Sequence, residues 1–433
     1  MVDAVLHTAA TASSNATNIS TLWFLVAAAL VLIMTPGVAF FYGGMTKAKS
    51  SVSMMMLTFG SMSLVGVLWV LYGYSMTFSA SDGSSWLIPK FLANPFANAG
   101  LGDFLSFKDG AFDLSVANGN SLAFAGFQAT FAIITVSLIT GALADRAKFG
   151  AFMWFTGFWV TLVYFPVASW VWGTGWIGSL NIGGFTVNDF AGGTAVHINA
   201  GSAALALALV LGQRHGFKKN IPGMGNNKAL VLLGASLLWF GWFGFNAGSE
   251  GDVDGVAALA WINTLAAPAA AAVAWLLMEK LVNGKSTSIG AGSGIVAGLV
   301  AITPACNILT PFWAVILGFL VGVVCSFAVN WKYKLGYDDS LDVVGVHFLG
   351  GWIGTLYIGL FGQGVGLFTG GGNLDQFLVQ FIAAAGVTIW SFGISYIIGM
   401  IIKAVGGFRV SDEIEDSGID VAMHGESAYV LSE

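Results

Sequence analysis

An all-α polytopic membrane protein is the fold class this sequence predicts, and three observations carry the prediction. Charged residues make up only 9% of the 433 positions, against roughly a quarter in soluble domains. Apolar runs of about 20 residues, the length that crosses ~30 Å of hydrocarbon as a helix, recur along the whole chain. Nowhere do short segments alternate apolar and polar residues as the strands of a β-barrel would.

Taken in order, the runs give eleven spans. Residues 21–44 and 52–78 flank a short loop with Lys47 and Lys49, and a long loop with Lys90 and Lys108 leads to 120–143. Arg146 and Lys148 precede 149–172. The fifth span, 190–211, opens after Asp189 and is followed by Arg214, Lys218 and Lys219. The sixth, 228–247, begins at Lys228, and 256–280 and 287–304 flank Lys280 and Lys285. Span 311–331 runs into Lys332 and Lys334, 343–361 follows Asp339 and Asp342, and 376–402 ends before Lys403 and Arg409. Fifty-nine glycines, often beside Ala or Ser as in residues 290–294 and 350–354, suit helices that approach closely in lipid. The two cysteines, Cys306 and Cys325, fit no metal spacing and read as packing residues.

Basic residues set the orientation of such a chain. With the N-terminus outside, fourteen of the sixteen Lys and Arg residues fall on the inner side, and only Lys90 and Lys108 lie in an outer loop. An even number of spans would divide the basic loops between both faces, so N-out and C-in is the expectation. The first twenty residues lack a basic n-region and a cleavage site, which argues against a cleaved signal peptide. The expected organisation is a transmembrane domain over 1–405, with inverted five-helix repeats at about 21–212 and 228–361 and an eleventh helix at 376–405. A cytoplasmic tail follows at 406–433. That tail is acidic and reads either as a solvated terminus or as a docking segment for a cytoplasmic regulator.

Of five histidines, His7, His215 and His424 lie in tails or a loop, while His197 and His347 lie inside spans. Ionisable residues at membrane depth are costly and mark functional sites. His197 follows Asp189 by eight residues from the outer face, and His347 follows Asp339 by eight from the inner face. Eight residues of helix rise ~12 Å, so both imidazoles come to a similar depth near the midplane. They also occupy the fifth and tenth spans, the same position in two inverted sets, where transporter sites lie. The plainer reading is that each imidazole bonds a backbone carbonyl of a neighbouring helix. A metal site would need a third ligand at helical spacing, and haem would need more histidines. A narrow apolar pore with one proton-exchanging lining fits best. Asp189 is also a natural helix N-cap, and Asp342 reads as a buried acid in need of a polar partner.

Several blocks resemble one family. DFAGGTAVHINAGSAA at 189–204, TPGVAFFYGG at 35–44, GFQATFAIITVSLITGALADR at 126–146, WVWGTG at 170–175 and GWFGFNAGS at 241–249 are joined by NTLAAPAAAA, TPACN, DDSLDVVGVHF and HGESAY, in family order. Together they resemble the ammonium transporter family (Amt, Mep and the Rh glycoproteins), over essentially the whole chain, with a close match to its bacterial members.

The resemblance implies a homotrimer whose protomers each carry a narrow hydrophobic pore. It implies an outer vestibule of Phe127, Phe131, Trp172, Phe245 and Ser249 that recruits the cation, with Phe131 and Phe245 closing the entrance. It implies that His197 and His347 are the twin pore histidines, that Asp189 supports the vestibule site, and that the tail meets a PII-type signalling protein. Taken without it, so many aromatic residues would read as an interfacial belt. Glu250, followed by Asp252 and Asp254, stands where smaller or neutral residues are expected and enriches the mouth in negative charge. The expected function is transport of ammonium across the plasma membrane, deprotonated at or below the vestibule and conducted as ammonia, with or without the proton, past the histidines. An ammonium sensor and an electroneutral Rh-type gas channel are the alternatives. No enzyme activity, cofactor, metal or nucleic-acid partner is expected.

Overall fold

In hydrocarbon a backbone must satisfy its own N–H and C=O groups within each segment, which favours helices. A computed structural model describes residues 2–80, 85–112, 114–217 and 225–429, leaving aside the side chains of 2–13, 116 and 117. Lys218, Lys219 and the last residues of the tail, 430–433, lie outside the described residues, as does the side chain of His7.

Among the described residues, ten helices are long and apolar enough to cross a membrane. They are α1 Ser14–Met45, α2 Ala48–Phe78, α3 Asn118–Leu143, α4 Phe149–Trp172, α5 Gly193–Leu211, α6 Lys228–Glu250 and α7 Gly255–Asn283, then, after a shorter apolar helix α8 Ser288–Ile302, α9 Pro311–Leu335, α10 Val344–Phe361 and α11 Asp375–Val405. Helix α1 continues a helical stretch that begins at Val2 and breaks at Ile33. Large apolar side chains such as Leu22, Trp154, Phe240, Phe312 and Ile389 remain exposed on the helix flanks, as lipid-facing positions require. The chain is therefore a helical polytopic membrane protein.

Small residues set the closest helix approaches, because lipid supplies no hydrophobic drive between helices. A Cβ on Gly298 would lie 2.5 Å from Pro268 Cα, and one on Gly322 would lie 2.4 Å from Ala271 O. Helices α8 and α9 thus press on the same stripe of α7 through positions that admit only hydrogen. Pro268 lies inside α7 and has no N–H for the carbonyl of Thr264. The indole of Trp239 supplies the missing donor, reaching Thr264 O at 3.0 Å.

One face carries short antiparallel ribbons, β1 Trp86–Ile88 with β2 Leu92–Ala93, β3 Phe107–Lys108 with β4 Ala111–Phe112, and β5 Asn181–Ile182 with β6 Phe185–Thr186. The opposite face carries the tail, which docks on its own chain. Helices α12 Asp412–Ser417 and α13 Ile419–His424 are tied down at several points. Asp420 accepts from Val52 N and Ser53 N at 3.0 and 2.7 Å. Arg409 reaches Leu211 O and Gln213 O at 3.1 and 2.8 Å and pairs with Glu415. Asp420 and Glu415 are each 1% exposed, so the tail is not simply a solvated terminus.

Candidate functional site

The fifth span starts at Gly193, three residues later than its apolar run suggests, because Asp189 stays outside as its cap. Its carboxylate accepts from the backbone N–H groups of Gly192 (3.0 Å), Gly193, Thr194 (2.9 Å) and Ala195 (3.1 Å), and from the hydroxyl of Thr194. These are the orphan donors of a helix start. Gly192 has φ +118, a conformation costly for any residue with a Cβ. Gly193 faces Pro304, whose Cβ would lie 2.6 Å from an added methyl. The two glycines of DFAGG thus let the loop turn and α5 seat against the 303–307 segment.

The first turn of α5, Gly193–Ile198, is π-helical and carries His197. The first turn of α10, Val344–Phe348, is also π-helical and carries His347. Asp339 caps it as Asp189 caps the other, accepting from Val343 N at 3.1 Å and Val344 N at 2.7 Å. Single π turns inside helices commonly mark functional sites. They rotate the following side chains relative to an α-helical register, and here both histidines are turned toward one another.

The two imidazoles meet. His197 Nδ1 and His347 Nδ1 are 3.3 Å apart, and the rings lie 25° from parallel. A neutral imidazole has one donor and one acceptor nitrogen. If the shared proton sits on one Nδ1, that ring presents an acceptor Nε2 and its partner presents a donor Nε2. His197 Nε2 is buried and has no hydrogen-bond partner among the described residues. The pair can therefore offer both hydrogen-bonding roles to a small neutral molecule.

Aromatic rings continue from this pair in one direction. Phe245 lies 6.2 Å from His197, Phe131 stacks on Phe245 at 4.1 Å, and Phe127 meets Phe131 edge-on at 4.9 Å. Trp172 stands perpendicular to Phe131 at 5.9 Å. Phe127, Phe131 and Phe245 are at most 1% exposed, so the stack closes the path. Ser249, one turn after Phe245, donates to its carbonyl at 2.8 Å and accepts no hydrogen bond among the described residues. The indole of Trp172 donates to the Asp189 carbonyl at 2.9 Å. Asp189 therefore holds Trp172 with its backbone and the His197 turn with its side chain.

In the other direction lies a narrow apolar cavity beside His347, lined by residues including Val38, Tyr42, Leu138 and Trp242. It leaves about 10 Å³ for the centre of a water-sized molecule, close to the room one water needs.

Asp342 departs from expectation. It is partly exposed, at the start of α10 with φ +68, and its partner is Lys332 at 2.7 Å. The deeply buried acids of that loop are its neighbours Asp338 and Asp339, at 0% and 1% exposure. Burial opposes ionisation of Asp338, but Arg146 and Arg214 outweigh it and hold the carboxyl below its ordinary value. Arg214 Nε lies 2.9 Å from Asp338, so this network locks the loop that precedes His347. Of the acids after Ser249, Asp254 caps α7 through Val256 N and Ala257 N, and Glu250 is half-buried at the end of α6.

Sequence reasoning passed over Trp242. It stacks on His197 at 5.4 Å and 19°, and its indole donates to Thr303 Oγ1 at 2.8 Å. The signal was its place three residues before Phe245, on the same face of α6.

Residues 22–429 match the Ammonium Transporter Family. The chain is 47% identical to the ammonium transporter of Mycobacterium tuberculosis strain H37Rv, over 94% of this chain and 90% of that protein. It is 42% identical to the ammonium transporter of Bacillus subtilis strain 168, over 94% and 98%. Among solved structures it superposes on a sensor Amt protein with TM-score 0.84 at 30% identity, covering 95% of this chain and all of that one. Candida albicans Mep2 gives TM-score 0.80 at 33% identity, covering 92% of this chain and 87% of that one. Taken with the paired imidazoles and the ring stack above them, these likenesses place the chain in the ammonium transporter family.

Proposed function

We propose that ammonium is recruited at Trp172, Phe127, Phe131, Phe245 and Ser249, loses its proton at or below that vestibule, and crosses as ammonia past His197 and His347. The observation that carries this reading is the imidazole pair, in contact at 3.3 Å and bounded by a closed ring stack and an apolar cavity. Magnitudes favour shedding the charge. Ring faces return about 2 kcal/mol or more to a desolvated cation, whereas moving an ion from water into a low-dielectric interior costs on the order of 20 kcal/mol before relaxation. Potassium is attracted to the same rings but has no proton to lose, so it stops there.

In this reading α8 also spans the membrane, giving eleven spans with the N-terminus outside and the tail inside. The basic loops support that orientation, and the matched π turns of α5 and α10 support inverted repeats at about 21–212 and 228–361, followed by the eleventh helix at 376–405 and the tail at 406–433. Asp189 and Asp342 act as supporting residues. The family resemblance supports a homotrimer in the plasma membrane, with the acidic tail face open to a PII-type signalling protein.

The test is the current evoked by an ammonium pulse on purified protein in liposomes, with internal pH recorded in parallel. A current that saturates with ammonium and is absent with potassium supports recruitment, deprotonation and a separate proton path. A rise in internal pH without current assigns the protein to neutral ammonia conduction. Saturable binding with neither response assigns it to sensing.

A further inference from the structure

An indole has one polar atom, the Nε1–H, and it can only donate. Trp242 lies face to face with His197 and also lines the cavity beside His347. Its N–H is directed to Thr303 Oγ1 at 2.8 Å, and that hydroxyl donates onward to Leu299 O at 2.8 Å. Trp242 and Thr303 are both buried, and Thr303 is not among the residues that line the cavity. Both donors, the indole N–H and the Thr303 hydroxyl, are thereby satisfied away from the cavity.

The position of Thr303 adds to this. It caps the C-terminal end of α8, and its neighbour Pro304 accepts from Phe190 N at 3.3 Å and Asn188 Nδ2 at 2.8 Å. One turn therefore holds both Trp242 and the loop that carries Asp189.

We infer that Thr303 is a specificity-determining positioning residue, which keeps the Trp242 N–H out of the pore so that the imidazole pair, and not the indole, offers polar atoms to the solute. This rests on the reading in which the solute passes His197 and His347. A buried donor without a partner is costly and takes up water where there is room, and the cavity has room for about one. A water on the indole N–H beside two proton-exchanging rings would add a link along which protons pass without ammonium. The apolar face of the indole gives water no such hold.

Thr303→Val removes the hydroxyl at nearly constant shape, Thr303→Ser restores it, and Trp242→Phe removes the N–H itself. Proton leak under an imposed potential is measured in proteoliposomes without ammonium, for native protein, Thr303→Val, Thr303→Ser, Trp242→Phe and the Thr303→Val/Trp242→Phe double variant. Thr303→Val is expected to raise the leak several-fold and Thr303→Ser to leave it near native. In the Trp242→Phe background Thr303→Val adds nothing, because no N–H remains to be released. An unchanged leak in Thr303→Val overturns the proposal, as does an equal rise in both backgrounds, which would assign the effect to packing. Thr303→Ala carries the same expectations and serves if the valine variant does not elute as folded protein. Native protein that fails to respond to ammonium in the same liposomes counts against the transport reading, whereas a normal native response with an unchanged Thr303→Val leak counts against Thr303 alone.

Discussion

Replacing Asp189 by Asn separates two roles that a carboxylate at this position could have. Five donors converge on it, from the backbone of Gly192, Gly193, Thr194 and Ala195 and from the hydroxyl of Thr194. A carboxylate has roughly four lone-pair positions, so the donors already present leave none for a proton from ammonium. In Asn one oxygen becomes an NH2 group, which cannot accept. In the better of its two orientations the amide keeps the three bonds at one oxygen and loses those from Gly192 and Gly193. At about 1.5–3 kcal/mol for each hydrogen bond to a charged group, the loss is roughly 3–6 kcal/mol, a large part of the ~5–15 kcal/mol that holds a typical fold together. Asp189→Asn is therefore expected to melt several degrees lower in detergent and to lose transport in liposomes at the same time, as the turn carrying His197 loosens. Asp189→Glu keeps the charge but carries one methylene too many for the same cradle, and it is expected to fall in between. A variant Asp189→Asn with native melting temperature, native ammonium binding and no transport would refute the capping argument and give the carboxylate a direct part in proton removal.

Three other perturbations follow from the same geometry. Changing both His197 and His347 to Glu puts acceptors that carry charge into the pore, so ammonium-over-potassium discrimination measured as the ratio of evoked currents is expected to fall; an unchanged ratio would count against the imidazole lining. His215 is raised above its ordinary 6.5, first by its hydrogen bond to Asp416 and further by Glu415 and Asp412, with Arg214 and Arg409 engaged by Asp338 and Glu415 beside it. The docked tail thus favours the charged ring, so this contribution to docking is complete below about pH 6.5 and is lost as pH rises through the raised value. Hydrogen exchange at residues 412–424, corrected for intrinsic rates, should quicken over that window in native protein and not in His215→Gln. Gly201→Val would place a Cβ 2.5 Å from Phe348 Cβ and 2.6 Å from Phe348 N, where α5 crosses α10. Overpacking of this kind costs about 1–3 kcal/mol or more, and a native melting temperature would show that the crossing has slack.

How far the sequence discloses the site depends on whether the relevant forces are local. Spacing along the chain is local: Asp189 and Asp339 each precede a histidine by eight residues, helical rise is fixed, and the rings of His197 and His347 are 3.3 Å apart. Rotation about the helix axis is not local. A regular α-helix would have given no reason for the two rings to face each other, and the π turns at Gly193–Ile198 and Val344–Phe348 arise where a capping acid and neighbouring helices draw the backbone together, a balance invisible in residue types. Partner choice fails for the same reason. Lys332 counts in sequence as one of the basic residues at the end of a span, yet it is 5% exposed, with its Nζ 2.7 Å from both Asp339 O and Asp342 Oδ1. That pairing exists because Asp342 adopts a left-handed backbone that turns the loop back on α9. The acid that seemed most in need of a partner therefore has the plainest one, and the deeper burial falls to Asp338, which two arginines neutralise. Both arginines come from loops far away in sequence, Arg146 after α3 and Arg214 after α5. The loop before His347 is thus fixed by groups that only the assembled bundle brings together, which is why the spacing of the ring from its capping acid is readable from the chain and its orientation is not.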